Sequence, residues 1–250
     1  MKYFLLSILF CLSLSIFSQN GKFPIYFGLE FRPIIPLSII GNKTLKLQDS
    51  DYTVVSTQTA GYSFGATIRA GYTKLISLEY GLNYTQRNFN LSMSLADTAV
   101  TANDNWSLVN YEIPINLMIY IQLGKKHFMN ASLGGSFRFT PTNIIKKTQT
   151  GGIHYFDNYG YLNHRLGYNL NANIGYEYRT QNKGFFYFGA SMCIPLTPII
   201  KLQSKHFVQQ VITPPSTLNG IIDGTYLALD LKYFLPIINK KGIQPLKGPI

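Results

Sequence analysis

The sequence predicts an all-β fold: an eight-stranded antiparallel up-and-down transmembrane β-barrel, preceded by a cleaved signal peptide. Three observations predict it. Apolar and polar residues alternate with period two in run after run, the pattern of a strand with one apolar and one polar face. Connections between the runs alternate too, short then long, as periplasmic turns and external loops do in outer-membrane barrels. The strand charges fall on the polar face.

The chain opens on an export signal at residues 1–19: Lys2, then an apolar stretch, then a cut at Ser18 or Gln19. The alternative is a membrane anchor, but the run is short for a spanning helix and a polar Ser-Gln-Asn follows it. Cys11 is not a lipidation site, because a lipidated cysteine follows a small residue and here Phe10 precedes. After cleavage Cys193 is the only cysteine, which excludes an internal disulfide and a cysteine-built metal site. Residues 20–236 are read as the barrel and 237–250 as a flexible basic periplasmic tail, rich in Pro, Gly and Lys. Acids are scarce, 11 Asp and Glu against 22 Lys and Arg, while 18 Tyr and 17 Phe suit aromatic girdles at two interfaces.

Strands are expected near 24–35, 61–72, 76–88, 107–122, 128–140, 166–179, 185–196 and 225–236. Each reaches the roughly 9–11 residues a tilted strand needs to cross a bilayer. The run 166–178 is the cleanest: Leu166, Tyr168, Leu170, Ala172, Ile174, Tyr176 and Tyr178 share one face, and Asn169, Asn171, Asn173 and Glu177 the other. Short gaps fall at 73–75, 124–127 and 180–184, and long ones at 36–60, 89–106, 141–165 and 197–224. With the N-terminus in the periplasm, every short gap falls on that side.

A secreted soluble barrel would also alternate. Charge placement separates the two: if the apolar face meets lipid, Glu30, Arg32, Arg69, Glu79, Arg87, Glu112, Arg138, Glu177, Arg179, Asp230 and Lys232 all face the lumen in nearly balanced sign. An eight-stranded lumen is just wide enough to be filled by side chains. Hairpin arithmetic sets Arg69 opposite Glu79 and Glu112 opposite Arg138, two acid–base pairs at different heights. The alternative is a wet interior of charges without fixed partners.

Pro114 lies inside the fourth strand, where a bulge or a missed hydrogen bond is expected. Trp106 is expected at the outer rim in the headgroup region, and Tyr72, Tyr80, Tyr176, Tyr178 and Tyr233 in a belt at the periplasmic rim. The last strand, Thr225 to Phe234, resembles the C-terminal signal read by the barrel-assembly machinery, although a tail follows it.

The stretch Tyr111-Glu-Ile-Pro-Ile-Asn-Leu117 is similar to the Y-x-E-I-P-x-x-L segment of PorT-type outer-membrane barrels of Bacteroidetes, matching it from Glu112 to Leu117 with the tyrosine one position later. Leu78 to Arg87 and Ala131 to Phe137 resemble the neighbouring strands of that family. The resemblance implies an eight-stranded barrel in a Gram-negative outer membrane. One namesake member supports protein secretion, but most have no assigned activity.

No chemistry stands out. His127 falls in a short turn, and His154, His164 and His206 fall in long loops as solvated side chains; His154, His164 and Asp157 are conceivable as a weak metal site. No phosphate cradle, HExxH or carboxylate pair placed for acid–base work is seen. The expectation is therefore not an enzyme, with no cofactor and no nucleic-acid partner. It is a structural or interaction component of the envelope, with an accessory role in secretion as one form of it; a small-solute channel and a rim-located lipid-modifying enzyme are the alternatives. Lys22, Lys74, Lys125, Lys126, Lys183, Lys240, Lys241 and Lys247 map to the periplasmic side, suited to anionic lipid or an acidic partner. Lys43, Lys46, Lys146, Lys147, Arg165, Lys201 and Lys205 map outside, where outer-leaflet glycolipid is the expected contact, and the apolar run Val208 to Ile212 offers a ligand or partner surface.

Overall fold

The structure, a computed structural model, describes residues 25–38, 42–73, 75–96, 100–149, 153–162, 164–180, 183–208, 216–236, 238–239 and 242–243. The expected export signal lies outside them, as do Lys22, Lys74, Lys240, Lys241, Lys247 and residues 209–212.

Fifteen strands are described: β1 (Ile25–Pro36), β2 (Thr44–Gln48), β3 (Tyr52–Gly71), β4 (Ile76–Leu95), β5 (Thr101–Gln122), β6 (His127–Phe139), β7 (Ile144–Gln149), β8 (His154–Tyr161), β9 (Leu166–Arg179), β10 (Phe185–Pro195), β11 (Ile200–Val208), β12 (Ser216–Ile222), β13 (Tyr226–Phe234), β14 (Ile238–Asn239) and β15 (Gly242–Ile243). Eight of them, β1, β3, β4, β5, β6, β9, β10 and β13, pair antiparallel in that order. β1 pairs with both β13 and β3, so the wall closes on itself and has no free edge. Within the expected tail, β14 and β15 pair with each other.

The wall is inside-out relative to a soluble protein. Outward side chains are large and apolar: Leu29 is 55% exposed, Leu82 57%, Leu133 62% and Ile174 64%. The inward face buries Arg69, Arg87 and Glu177 completely. On β3 the apolar outward face runs from Tyr62 to Tyr72. At ~3.3 Å per residue and a tilt near 45°, that band is roughly 25 Å tall, the height of an outer-membrane barrel's apolar band. Aromatic side chains mark its edges. Tyr62, Phe64, Tyr84 and Tyr111 pack in series at the long-loop edge, and His127 with Tyr176 and Tyr178, and Phe186 with Tyr233, lie at the short-turn edge.

The tight turns are fixed by side chains. The Thr73 hydroxyl accepts from the amides of Leu75 and Ile76, and the Thr180 hydroxyl accepts from Lys183 and donates to the Gly184 carbonyl. Gly184 has φ +74°, and a Cβ there would lie 2.0 Å from the Phe234 carbonyl oxygen, so the turn admits only glycine.

Three of the long gaps contain strands rather than irregular loops, and the fourth is spanned by strand extensions. β3, β4 and β5 each continue well beyond the expected ends, and β2 adds to β3. Polarity reverses along these extensions. On β4 the inward face changes from Glu79, Asn83, Thr85 and Arg87 to Phe89, Leu91 and Met93. Its outward face changes at the same height, from Leu78, Leu82 and Tyr84 to Asn88, Asn90 and Ser92. On β3 a bulge between Thr59 and Tyr62 shifts the phase, so that Tyr52 and Val54 turn inward above it and Thr67 and Arg69 below it. A second sheet, in the order β12-β11-β8-β7, covers the extensions and encloses a conventional core with Phe156, Ile199, Ile200 and Leu202. This upper tier is called the head below. Buried Tyr52 ties it together by donating to the carbonyls of Ser204 (2.7 Å) and Ser216 (3.0 Å).

Trp106 accordingly does not sit in a headgroup layer. It points into the head core, 4% exposed, and stacks on Phe89 at 4.2 Å and 11°. Pro114 produces no bulge. The β4–β5 register is the same on both sides of it, with pairing interrupted between Tyr80↔Ile115 and Asn83↔Glu112.

Candidate functional site

The lumen holds the chain's concentrated chemistry, in three layers. At the short-turn end Tyr26, Met118, Tyr120, Phe128, Phe185, Tyr187 and Phe234 form a buried, mostly aromatic cluster. Arg69 lies over Phe234 at 4.2 Å and Arg179 over Phe128 at 4.3 Å, so the cations rest on ring faces.

Above this floor runs a continuous ionic chain. Arg69 donates to Glu79 through Nη2 (2.5 Å) and Nε (3.0 Å), and to Glu177 through Nη1. Glu177 also receives Arg179 (2.9 Å) and the Asn130 amide (3.0 Å). Lys232 bridges Glu79 at 2.5 Å and Glu30 at 3.0 Å. Arg32 reaches Asp230 at 2.9 Å and lies 3.9 Å from Glu30. Asp230 further accepts from Ser191 (3.0 Å) and Asn173. Four cations thus meet four anions, and the layer is neutral. Burial of this many ions is tolerable because each is paired and its remaining hydrogen-bonding positions are largely filled.

Of the sequence-predicted residues, Arg69 and Glu79 are register partners and in contact. Glu112 and Arg138 are also register partners, yet they form no ion pair. Glu112 turns to Arg87 (3.5 Å) and the Tyr226 hydroxyl (3.4 Å). Arg138 donates to Asn169 (3.1 Å) and to the carbonyls of Thr197 (3.2 Å) and Pro198 (3.3 Å). Arg87 likewise donates to the Gly224 carbonyl at 2.6 Å. These two arginines therefore pin the segments where the chain passes between wall and head, at 195–200 and 222–226. Register alone does not disclose that, because competing acceptors come from strands and bends outside the hairpin.

The head core is the third layer and closes the long-loop end. At its tip His154 Nδ1 and His206 Nε2 lie 3.1 Å apart, and His206 also packs on Tyr52 and Phe156. Burial first, and the His154 charge second, hold His206 below the usual imidazole range. His154 and His206 are thus side chains of an ordered cluster, not solvated loop groups, while His164 is exposed. Asp157 is engaged by Lys147 (3.7 Å) and the Tyr159 hydroxyl (3.1 Å). Among the described residues no group of three or more His, Cys, Asp or Glu is placed to hold a metal ion.

No family model matches the chain, and no curated protein does. Among solved structures, the outer membrane protein OprG from Pseudomonas aeruginosa matches with a TM-score of 0.51 at 10% identity, over 84% of this chain and 95% of that one. The β domain of the Bordetella autotransporter BrkA spans 84% of this chain and 98% of its own, but at 8% identity and a TM-score of 0.19 it supports no comparison. The OprG likeness concerns the fold: a barrel of the outer-membrane type.

Proposed function

We propose that the chain is an integral outer-membrane barrel with a plugged, charge-paired lumen, acting as a structural or interaction component of the cell envelope and as a PorT-type accessory to protein secretion. One observation carries the membrane placement and the plugged lumen: an apolar belt faces outward around an interior of paired ions closed at both ends. Exposed Leu and Ile at this density are costly in water and favourable against acyl chains. A conduit would have to displace the aromatic floor, the ionic chain and the head core together. In the motif stretch, Tyr111, Ile113, Ile115 and Leu117 are 43–49% exposed on the belt while Glu112 faces the lumen. The family's segment therefore fits a membrane-facing strand here. Residues 1–19 direct export, and the last strand is read by the barrel-assembly machinery.

The test is fractionation of tagged cells, bilayer recording and cross-linked co-purification. The protein is expected in the outer-membrane fraction, silent in planar bilayers, and captured with secretion components, with secreted proteins retained in a deletion strain. A soluble periplasmic protein or a steady open conductance overturns the reading.

A further inference from the structure

The outer face of the head sheet is ordered across four strands and open to solvent. In register order, Lys147, Asp157, Lys205 and Thr217 form one row; Ile145, Tyr159, Gln203 and Asn219 the next; Tyr161, Lys201 and Ile221 the third. Hydrogen bonds link its side chains: Tyr159 donates to Asp157 (3.1 Å), Tyr161 to Gln203 (3.5 Å), and Gln203 to Asn219 (3.1 Å). The rings of Tyr159 and Tyr161 lie nearly parallel, 5.8 Å apart at 16°, and Lys205 Nζ stands 5.8 Å from the Tyr159 ring. Tyr161 is 43% exposed and the Lys147 side chain 69%. The face carries Lys147, Lys201 and Lys205 against Asp157, which already pairs with Lys147 at 3.7 Å, a net excess of two positive charges.

We propose that this face binds the phosphorylated saccharide of an outer-leaflet glycolipid. The proposal rests on the membrane reading above. Tyr rings offer flat apolar surface to the C–H faces of sugar rings, the amides offer donors and acceptors to hydroxyls, and the lysines complement phosphate. Height selects the source of the phosphate. The third row adjoins the strand ends that lead into β9, β10 and β13, at the edge of the belt. Lys205 lies four residues beyond Lys201, about 13 Å further along β11 and away from the belt. A phospholipid headgroup reaches Lys201 alone, whereas a saccharide rising from the leaflet reaches all three lysines.

The test uses the full-length folded protein in neutral detergent, with purified lipopolysaccharide, the same material dephosphorylated, and phosphatidylglycerol micelles as probes. Gel mobility of unheated samples checks that each variant is folded. Dephosphorylation, and the pair Lys147→Gln with Lys205→Gln, are each expected to weaken lipopolysaccharide binding about tenfold or more. Tyr159→Ala is expected to weaken it severalfold. Unchanged binding by the double-lysine variant overturns the proposal, as does lipopolysaccharide binding lost only with Lys201→Gln and matched by phosphatidylglycerol. If the protein fractionates with the outer membrane in either case, the membrane reading survives and only this inference falls.

Discussion

Arg69→Met tests the ionic chain most directly. Arg69 is fully buried between Glu79 and Glu177, and methionine fills its stem without the charge. At ~4 Å between charge centres and an effective permittivity near 20, one such pair attracts by about 4 kcal/mol. The loss is not doubled, because Glu79 keeps Lys232 and Glu177 keeps Arg179. Breaking a buried pair typically costs about 3–5 kcal/mol, and retained partners place this variant near the lower end, at about 3 kcal/mol. Glu79→Gln alone leaves Lys232 on Glu30 and Arg69 on Glu177. The double variant removes one charge of each sign, so a coupling of about 2 kcal/mol is expected between the two substitutions. Urea unfolding in lipid vesicles, read by tryptophan fluorescence and gel mobility, measures it. Glu112→Gln with Arg138→Met is the comparison pair: with no ion pair between them, these register partners are expected to couple by less than about 1 kcal/mol. Additivity at Arg69 and Glu79, or coupling of about 2 kcal/mol at the comparison pair, refutes the reasoning.

Trp106→Ala should cost about 3–5 kcal/mol of local stability, seen as faster protease cleavage of the head with the belt-level strands still protected. His206 has a folded-state pKa held below its unfolded value, so the unfolded form takes up the proton more readily and stability falls as pH drops through the unfolded pKa near 6.5. Hydrogen exchange should therefore quicken in β8 and β11 between about pH 7 and 5, and His206→Asn should flatten that dependence. Gly184→Ala forces a side chain into a left-handed turn and against the Phe234 carbonyl, and should lower the folding yield measured as the heat-modifiable gel band.

The eight wall strands were legible because the period-two pattern and the short turns are both local. The head was not, although its signal lay on the page. Phe89, Leu91 and Met93 continue the parity of Arg87 and Glu79 on the same inward face. A reversal of polarity along one face looks like a strand end when a single solvent is assumed. The reversal instead marks where the surroundings change, and the strand runs through it. On β5 Trp106 likewise continues the inward parity of Glu112, Asn110 and Leu108 into the head core. For Glu112 and Arg138, backbone register was readable, but the choice of partner depended on Arg87, Tyr226 and the bend at Thr197, which no hairpin count includes. Pairing of His154 with His206 joins segments 52 residues apart through the register of β8 with β11, and no local pattern announces it.

The wall and the head are joined unequally around the ring. On one side β3, β4 and β5 pass from wall to head as continuous strands, while on the other the chain bends at 195–200 and 222–226 and is held by guanidinium clasps from Arg138 and Arg87. Sideways load on the head therefore meets a stiff spine on one flank and two releasable hasps on the other. Force applied to the head would tilt the cap about that spine, lifting it first along the seam the two arginines close.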